Sequence, residues 1–201
     1  MKKLLFVNCC LRGEESRTLL LCRDYLAKFA RKMAAKGEEW RIEEIDLAEE
    51  EIAVQDAASA AKSEQLIRQK AFDDPMFRYA NQMIRADFLL IGAPYWDLDF
   101  PAKLKIYLER CSVSGLSFLY SPDGIPHGQC RAERLVYLAT AGGVIGELNF
   151  GFAYVKGLFQ NLLGVSRVEL IAAEALDIIG NDVNAILEDA KKVIDEQIET
   201  L

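Results

Sequence analysis

Apolar and polar positions along this chain fall into two alternating rhythms. Residues 3–8 (Lys-Leu-Leu-Phe-Val-Asn) and 88–93 (Phe-Leu-Leu-Ile-Gly-Ala) are short and almost wholly apolar. That is the pattern of parallel strands covered on both faces. Residues 134–140 and 168–173 predict two more strands, and 40–45 alternates like an edge strand. Over 17–35, Leu19, Cys22, Leu26, Phe29 and Met33 recur at helical spacing with Lys and Arg opposite, and Gly37 is a stop. Further helices are predicted over 63–86, with a start or kink at Pro75, and from Pro101 at a first helical position, with Leu104, Tyr107, Leu108 and Cys111 as the apolar stripe. Two more are predicted over 152–163 and 182–200, the last burying Ile186, Ala190, Val193 or Ile194, and Ile198. The acidic, alanine-rich stretch 48–62 carries no assignable element. Residues 112–130 lack periodicity and contain the turn Ser121-Pro-Asp-Gly124. They read as a long excursion beside a ligand site.

Five strands alternating with helices predict one α/β domain over residues 1–201, built on a doubly wound parallel sheet. The strand order 2-1-3-4-5 puts the switch point between the strands ending near Asn8 and Gly92. A ligand is then expected at the loops after strands one, three and four. Composition narrows the partners. The chain has 201 residues, 51% of them hydrophobic, and a formal net charge of −7. An acidic surface argues against nucleic acid or an anionic membrane as partner. No run reaches the roughly 18 apolar residues of a membrane span. The opening Met1-Lys-Lys-Leu-Leu-Phe-Val-Asn8 reads as the first strand rather than a leader. Cysteines at 9, 10, 22, 111 and 130 form no C-x-x-C, and His127 is the sole histidine. No metal framework follows; small buried thiols point to a reducing, cytoplasmic setting.

The chemistry is in three loops. In the first, Cys9–Thr18, the hydroxyls of Ser16 and Thr18, the charge of Arg17 and the N-terminus of the following helix suit a terminal phosphate. Alternatively, Ser16 simply caps that helix. The loop is neither a P-loop nor G-x-G-x-x-G, which favours a mononucleotide. In the second, Ala93 and Pro94 carry the chain over the sheet edge, and Tyr95, Trp96, Asp97 and Leu98 can offer backbone groups to a flat heteroaromatic ring such as a flavin. A packed turn is the plain alternative. In the third, Thr140-Ala141-Gly142-Gly143, the glycines permit close backbone approach.

Ser16-Arg-Thr18, the segment Ala93-Pro-Tyr-Trp-Asp-Leu-Asp-Phe-Pro-Ala-Lys-Leu-Lys-Ile-Tyr107, Gly115-Leu-Ser-Phe-Leu-Tyr120 and Thr140-Ala-Gly-Gly143 together resemble the flavodoxin-like NAD(P)H oxidoreductases. Within these the resemblance is to the FMN-dependent azoreductase and quinone reductase group, over residues 3–175. It implies a flavodoxin-like three-layer sandwich and a homodimer with one FMN per subunit near the interface. It also implies NADH or NADPH as hydride donor and ping-pong transfer of two electrons to a quinone- or azo-type acceptor. Cys10, Ser16, Arg17 and Thr18 match the phosphate loop, Pro94 to Leu98 the segment along the ring, and Thr140, Ala141, Gly142 and Gly143 the loop near its pyrimidine end. Trp96, Tyr120 and one of Phe150, Phe152 or Phe159 are candidate walls for the acceptor. Two departures stand out: Cys10 replaces a frequent serine, and Asp97 a frequent asparagine. An FMN reductase, a flavodoxin-type electron carrier and a ligand-binding protein without cofactor are the rival functions. The 112–130 excursion weighs against a carrier.

Overall fold

The computed structural model describes residues 1–201. Its main sheet has five parallel strands: β1 (Lys2–Asn8), β2 (Trp40–Asp46), β3 (Phe88–Gly92), β6 (Arg134–Thr140) and β7 (Arg167–Ala173). They lie in the order β2-β1-β3-β6-β7. A separate antiparallel hairpin pairs β4 (Phe118–Tyr120) with β5 (Pro126–Gly128). The sheet strands alone therefore run 2-1-3-4-5, as the alternation of elements predicts. The helices are α1 (Arg17–Ala35), α2 (Ala57–Arg68), α3 (Arg78–Ile84), α4 (Ala102–Cys111), α5 (Phe150–Leu158) and α6 (Val183–Glu199).

The period of two sorts the apolar strands into two cores. Leu4, Phe6, Leu90, Val136 and Leu138 pack with α1 and α6. Leu5, Val7, Leu89, Ile91, Leu135 and Tyr137 pack with α3, α4 and α5. Each fully buried large side chain contributes roughly 1.5–3 kcal/mol. The stripe on α1 is wider than its 3.6-residue pattern suggests, because Leu21 and Tyr25 are buried too. The helix is wedged between the sheet and α6, and Tyr25 Oη donates to Gln197 Oε1 at 2.6 Å. On α6, Ala190, Ile194 and Ile198 are buried, Ile186 is partly covered and Val193 is outside.

Four expectations are corrected. The predicted helix over 63–86 is two helices. Asp56 and Ser59 form a reciprocal capping box that starts α2 inside the acidic stretch. The chain then turns at Lys70, whose φ is +55°. It restarts where Asp74 caps a short 3₁₀ turn with Pro75 at its first position. Pro101 is the N-cap of α4, with an extended ψ of 138°, rather than its first residue. The helix expected over 152–163 starts at Phe150, where Asn149 Oδ1 accepts from Phe152 N, and finishes as a π-helical turn over Phe159–Leu163. The 112–130 excursion is not beside the loops after strands one, three and four. The chain leaves β3 at the C-terminal edge of the sheet, and α4 returns it about 15 Å to the opposite edge. There Arg131 N donates to Ile84 O, just before β3 begins, and Cys130 N to Leu163 O.

Candidate functional site

At the C-terminal edge of the sheet the loops after β1, β3, β6 and β7 enclose a cleft of about 170 Å³. From the first loop come Arg12, Ser16, Arg17 and Thr18. Asn8 sets its path: the buried Oδ1 accepts from Cys10 N at 3.0 Å, while Nδ2 donates to Glu44 Oε1 at 3.0 Å and to Asp46 Oδ2 at 3.3 Å. Ser16 is the N-cap of α1 and accepts from Leu19 N at 3.2 Å. The N–H groups of Arg17 and Thr18 have no protein acceptor and open the helix at its positive end. Capping uses a lone pair of the Ser16 hydroxyl and leaves its proton to donate, so the cap is compatible with a ligand contact.

Cys10 is different. Its thiol is buried and donates to Gly92 O at 3.7 Å, so it forms the floor beneath the loop and does not face the cleft. Burial pushes the nearby Cys9 thiol up to about 12, and burial together with Cys10 pushes Cys22 well above its ordinary value. These two thiols stay protonated at neutral pH and supply no nucleophile.

The second loop closes on itself. Trp96 N donates to Asp99 O at 2.9 Å and Asp99 N to Trp96 O at 2.8 Å. Asp97 and Leu98 between them have φ of +50° and +69°, the signs a type I′ turn requires. Tyr95 N is also engaged, donating to Thr140 O at 2.9 Å. Of the four N–H groups from 95 to 98, only those of Asp97 and Leu98 are free for a ligand. Around them Trp96, Leu98 and Phe150 are exposed apolar surface, and Phe150 N donates to Leu98 O at 3.2 Å.

In the third loop Ala141 is saturated: its N–H goes to Ala173 O, and its carbonyl accepts from Leu176 N. Gly142 and Gly143 accept from Asp177 N and Ala175 N, leaving their own N–H groups without a protein acceptor. Thr140 ties the loops together. Its carbonyl holds Tyr95, and its hydroxyl lies 2.6 Å from that of the fully buried Thr18. Replacing Thr140 by Val is expected to cost about 1–3 kcal/mol, because the Thr18 hydroxyl stays buried without its partner. Thr140→Ser should restore most of that loss. Denaturant midpoints of the two variants check it.

Three predicted wall residues lie elsewhere. Tyr120 is on the hairpin at the opposite sheet edge, so within one subunit it does not reach the cleft. Phe152 stacks on Tyr137 at a centroid distance of 5.9 Å, and Phe159 is buried in the core. His127 shares the hairpin with Tyr120. The sequence reading also overlooked Arg12, Leu176 and Asp177. The last two are on the loop after β7, which the strand order brings to the same edge. A larger hollow of about 510 Å³ lies between the 51–53 segment, α3 and α4, where Arg78 is already paired with Glu50 at 2.6 Å and Arg110 donates to Ala53 O. No strand tips converge there.

The family model for the flavodoxin-like fold matches residues 2–198. The chain belongs to the flavodoxin-like family. It is 32% identical over 198 residues to an FMN-dependent NADH:quinone oxidoreductase of Coprothermobacter proteolyticus, covering 96% of each chain. A second FMN-dependent NADH:quinone oxidoreductase, from Clostridium acetobutylicum, is 35% identical over 130 residues. That match spans 62% of this chain and 64% of the relative, just under two thirds of its length. Among solved structures, an FMN-dependent NADH-azoreductase of Bacillus anthracis in complex with FMN superposes with a TM-score of 0.84 at 18% identity, over 100% of this chain and 99% of the other. This flavodoxin-like chain thus shares its fold with that structure. No helix in it is long and apolar enough to cross a membrane.

Proposed function

We propose that the chain is an FMN-dependent NADH oxidoreductase acting on a quinone- or azo-type acceptor. The observation that carries this reading is the set of free backbone N–H groups at separate points of one cleft: Arg17 and Thr18, Asp97 and Leu98, Gly142 and Gly143. Such a set fits a ligand with a phosphate at one end and a flat, acceptor-rich ring at the other. The names of relatives aligned over most of the chain supply FMN and NADH.

When bound, FMN would supply the redox chemistry for passing two electrons from NADH to the acceptor in ping-pong order. The protein positions and polarises. The first turn of α1 and the Ser16 hydroxyl hold the phosphate. The Asp97 and Leu98 N–H groups fix the ring by its acceptor edge. The Gly142 and Gly143 N–H groups would hold the pyrimidine side of the ring and offset negative charge there. Trp96, Leu98 and Phe150 form an apolar shelf where a planar donor or acceptor can lie, shielded from water. No side-chain nucleophile is required. A homodimer suits this arrangement, because one subunit leaves the shelf open and carries Tyr120 away from it.

Purified protein mixed with FMN should show the oxidised flavin bands near roughly 370 and 450 nm after desalting. NADH alone should bleach the latter, and menadione should restore it. Ser16→Ala should weaken FMN uptake while lowering stability by about 1 kcal/mol through the lost cap. Failure to retain FMN would overturn the proposal. Retention without bleaching by NADH would point to a carrier.

A further inference from the structure

One acid lines the cleft. Asp177 Oδ1 accepts from Arg17 Nη1 at 2.7 Å, and the same guanidinium nitrogen reaches Leu176 O at 3.5 Å. The main chain that carries this carboxylate is held in place. Ala175 N, Leu176 N and Asp177 N donate to Gly143 O, Ala141 O and Gly142 O at 2.8, 3.1 and 2.8 Å, zipping the loop after β7 to the loop after β6. Ala175 takes a φ of +63° to make that possible. Asp177 Oδ2 lies 2.4 Å from where a Cβ on Gly142 would be, so a side chain at 142 would displace the carboxylate from its position. Arg12, the other cleft cation, has its own acid in Glu15 at 3.6 Å.

We infer that Asp177 is an internal competitor for the phosphate of the bound mononucleotide. The inference rests on the flavin reading above. Both arginines at the mouth already have a carboxylate, and the Asp177 main chain is part of the cleft wall, which keeps its carboxylate within reach of Arg17. Arg17 is long and flexible and can turn to an entering phosphate, but only by leaving Asp177 as an unpaired negative charge beside it. Neutral N–H groups and the Ser16 hydroxyl must then supply most of the grip on the phosphate. The chain therefore holds its flavin loosely enough to exchange it, and Asp177 sets how loosely.

Riboflavin, which has the ring and side chain of FMN without the phosphate, separates this effect from general damage to the cleft. Dissociation constants for FMN and riboflavin are measured by fluorescence quenching for the wild type and Asp177→Asn. The variant keeps the shape and the backbone bonds and removes the charge. FMN should bind about two- to fivefold more tightly, the scale of one exposed charge pair. Riboflavin affinity should not change. In an Arg17→Met background the gain from Asp177→Asn should shrink, since no guanidinium remains to be released. Weaker FMN binding by Asp177→Asn would mean that Asp177 holds Arg17 in its useful position, and would overturn the inference. So would an equal change for both flavins. If the wild type binds FMN but the ratio of the two constants is unmoved by the substitution, only this inference fails. If it binds neither flavin, the functional reading fails and this inference with it.

Discussion

Gly128→Ala is expected to lower stability by about 3 kcal/mol or more, which for a chain of this size lowers Tm by roughly 6–12 °C. Gly128 is in β5 of the hairpin, pressed against the end of the π-helical turn. A Cβ there would lie 1.8 Å from the carbonyl carbon of Leu163 and 2.1 Å from Gly164 N and Leu163 O. These are backbone atoms, so no rotamer change relieves the clash. Leu163 is also anchored: its carbonyl accepts from Cys130 N, and its side chain is fully buried beside Phe159 and Val165. The hairpin must lift away or the π-helical turn must shift, and either opens the core. Gly124→Ala is the control. Its Cβ meets nothing within 4 Å, and only its φ of +81° resists a side chain. It should cost about 1 kcal/mol. Thermal melts of both variants test the difference, and a Gly128→Ala melt within 2 °C of wild type, a shift under about 1 kcal/mol, contradicts the packing described.

Asn8→Asp is expected to cost about 3–5 kcal/mol at pH 7 even though it changes one atom. Asn8 is 1% exposed, and its amide is the donor shared by Glu44 and Asp46. A carboxylate would keep the bond from Cys10 N and turn the donor into a third acid among acids. Arg23 bonds Glu44 at 2.6 and 3.1 Å and relieves only part of the repulsion. The sign of the pH dependence follows. Burial and like charge hold the new carboxyl of the folded chain above its unfolded value of about 3.9, so folding takes up a proton. The folded state binds more protons than the unfolded one, and stability falls as pH rises between those two values. The deficit relative to wild type should shrink between pH 7 and pH 4. Asn8→Leu removes the same donor without adding charge, and its deficit should vary less over that range. Urea titrations at several pH values distinguish the two. Because Cys10 N donates to Asn8 Oδ1, Asn8→Leu, which removes that acceptor, should also loosen the first loop and reduce FMN uptake.

Much of the fold was legible because burial on both faces leaves strands with almost no polar residue. Residues 3–8, 88–93 and 134–140 announce themselves this way, and α1 has a serine cap and a glycine stop at its ends. The start of helix α2 was hidden. Its capping box uses Ser59 in place of a glutamate, and no α2 residue is buried, so no apolar stripe marks it. The break at Lys70 was hidden too, since a left-handed lysine leaves no trace in composition. The three loops of the cleft followed from strand order. What their side chains do there did not. Cys10 and Thr18 have suitable chemistry and turn it inward, to Gly92 and Thr140. The N–H groups of Tyr95 and Trp96 are already taken, the first by Thr140 O on the neighbouring loop and the second by Asp99 O within the turn. Asp177 could have been anticipated, because strand five neighbours strand four and its following loop must reach the same edge. The hairpin was misplaced because its length says nothing of the direction in which α4 travels.

The tip formed by Trp96, Asp97, Leu98 and Asp99 is locked by its own pair of reciprocal bonds before any guest arrives. Its outward donors are already aimed, so association there forfeits little conformational freedom. The energetic penalty of two left-handed, non-glycine residues is met once, when the chain folds, and not again at each encounter. A catalyst that repeatedly meets and releases planar molecules on one shelf gains from such a rigid rest, because every arriving partner finds the same landing geometry.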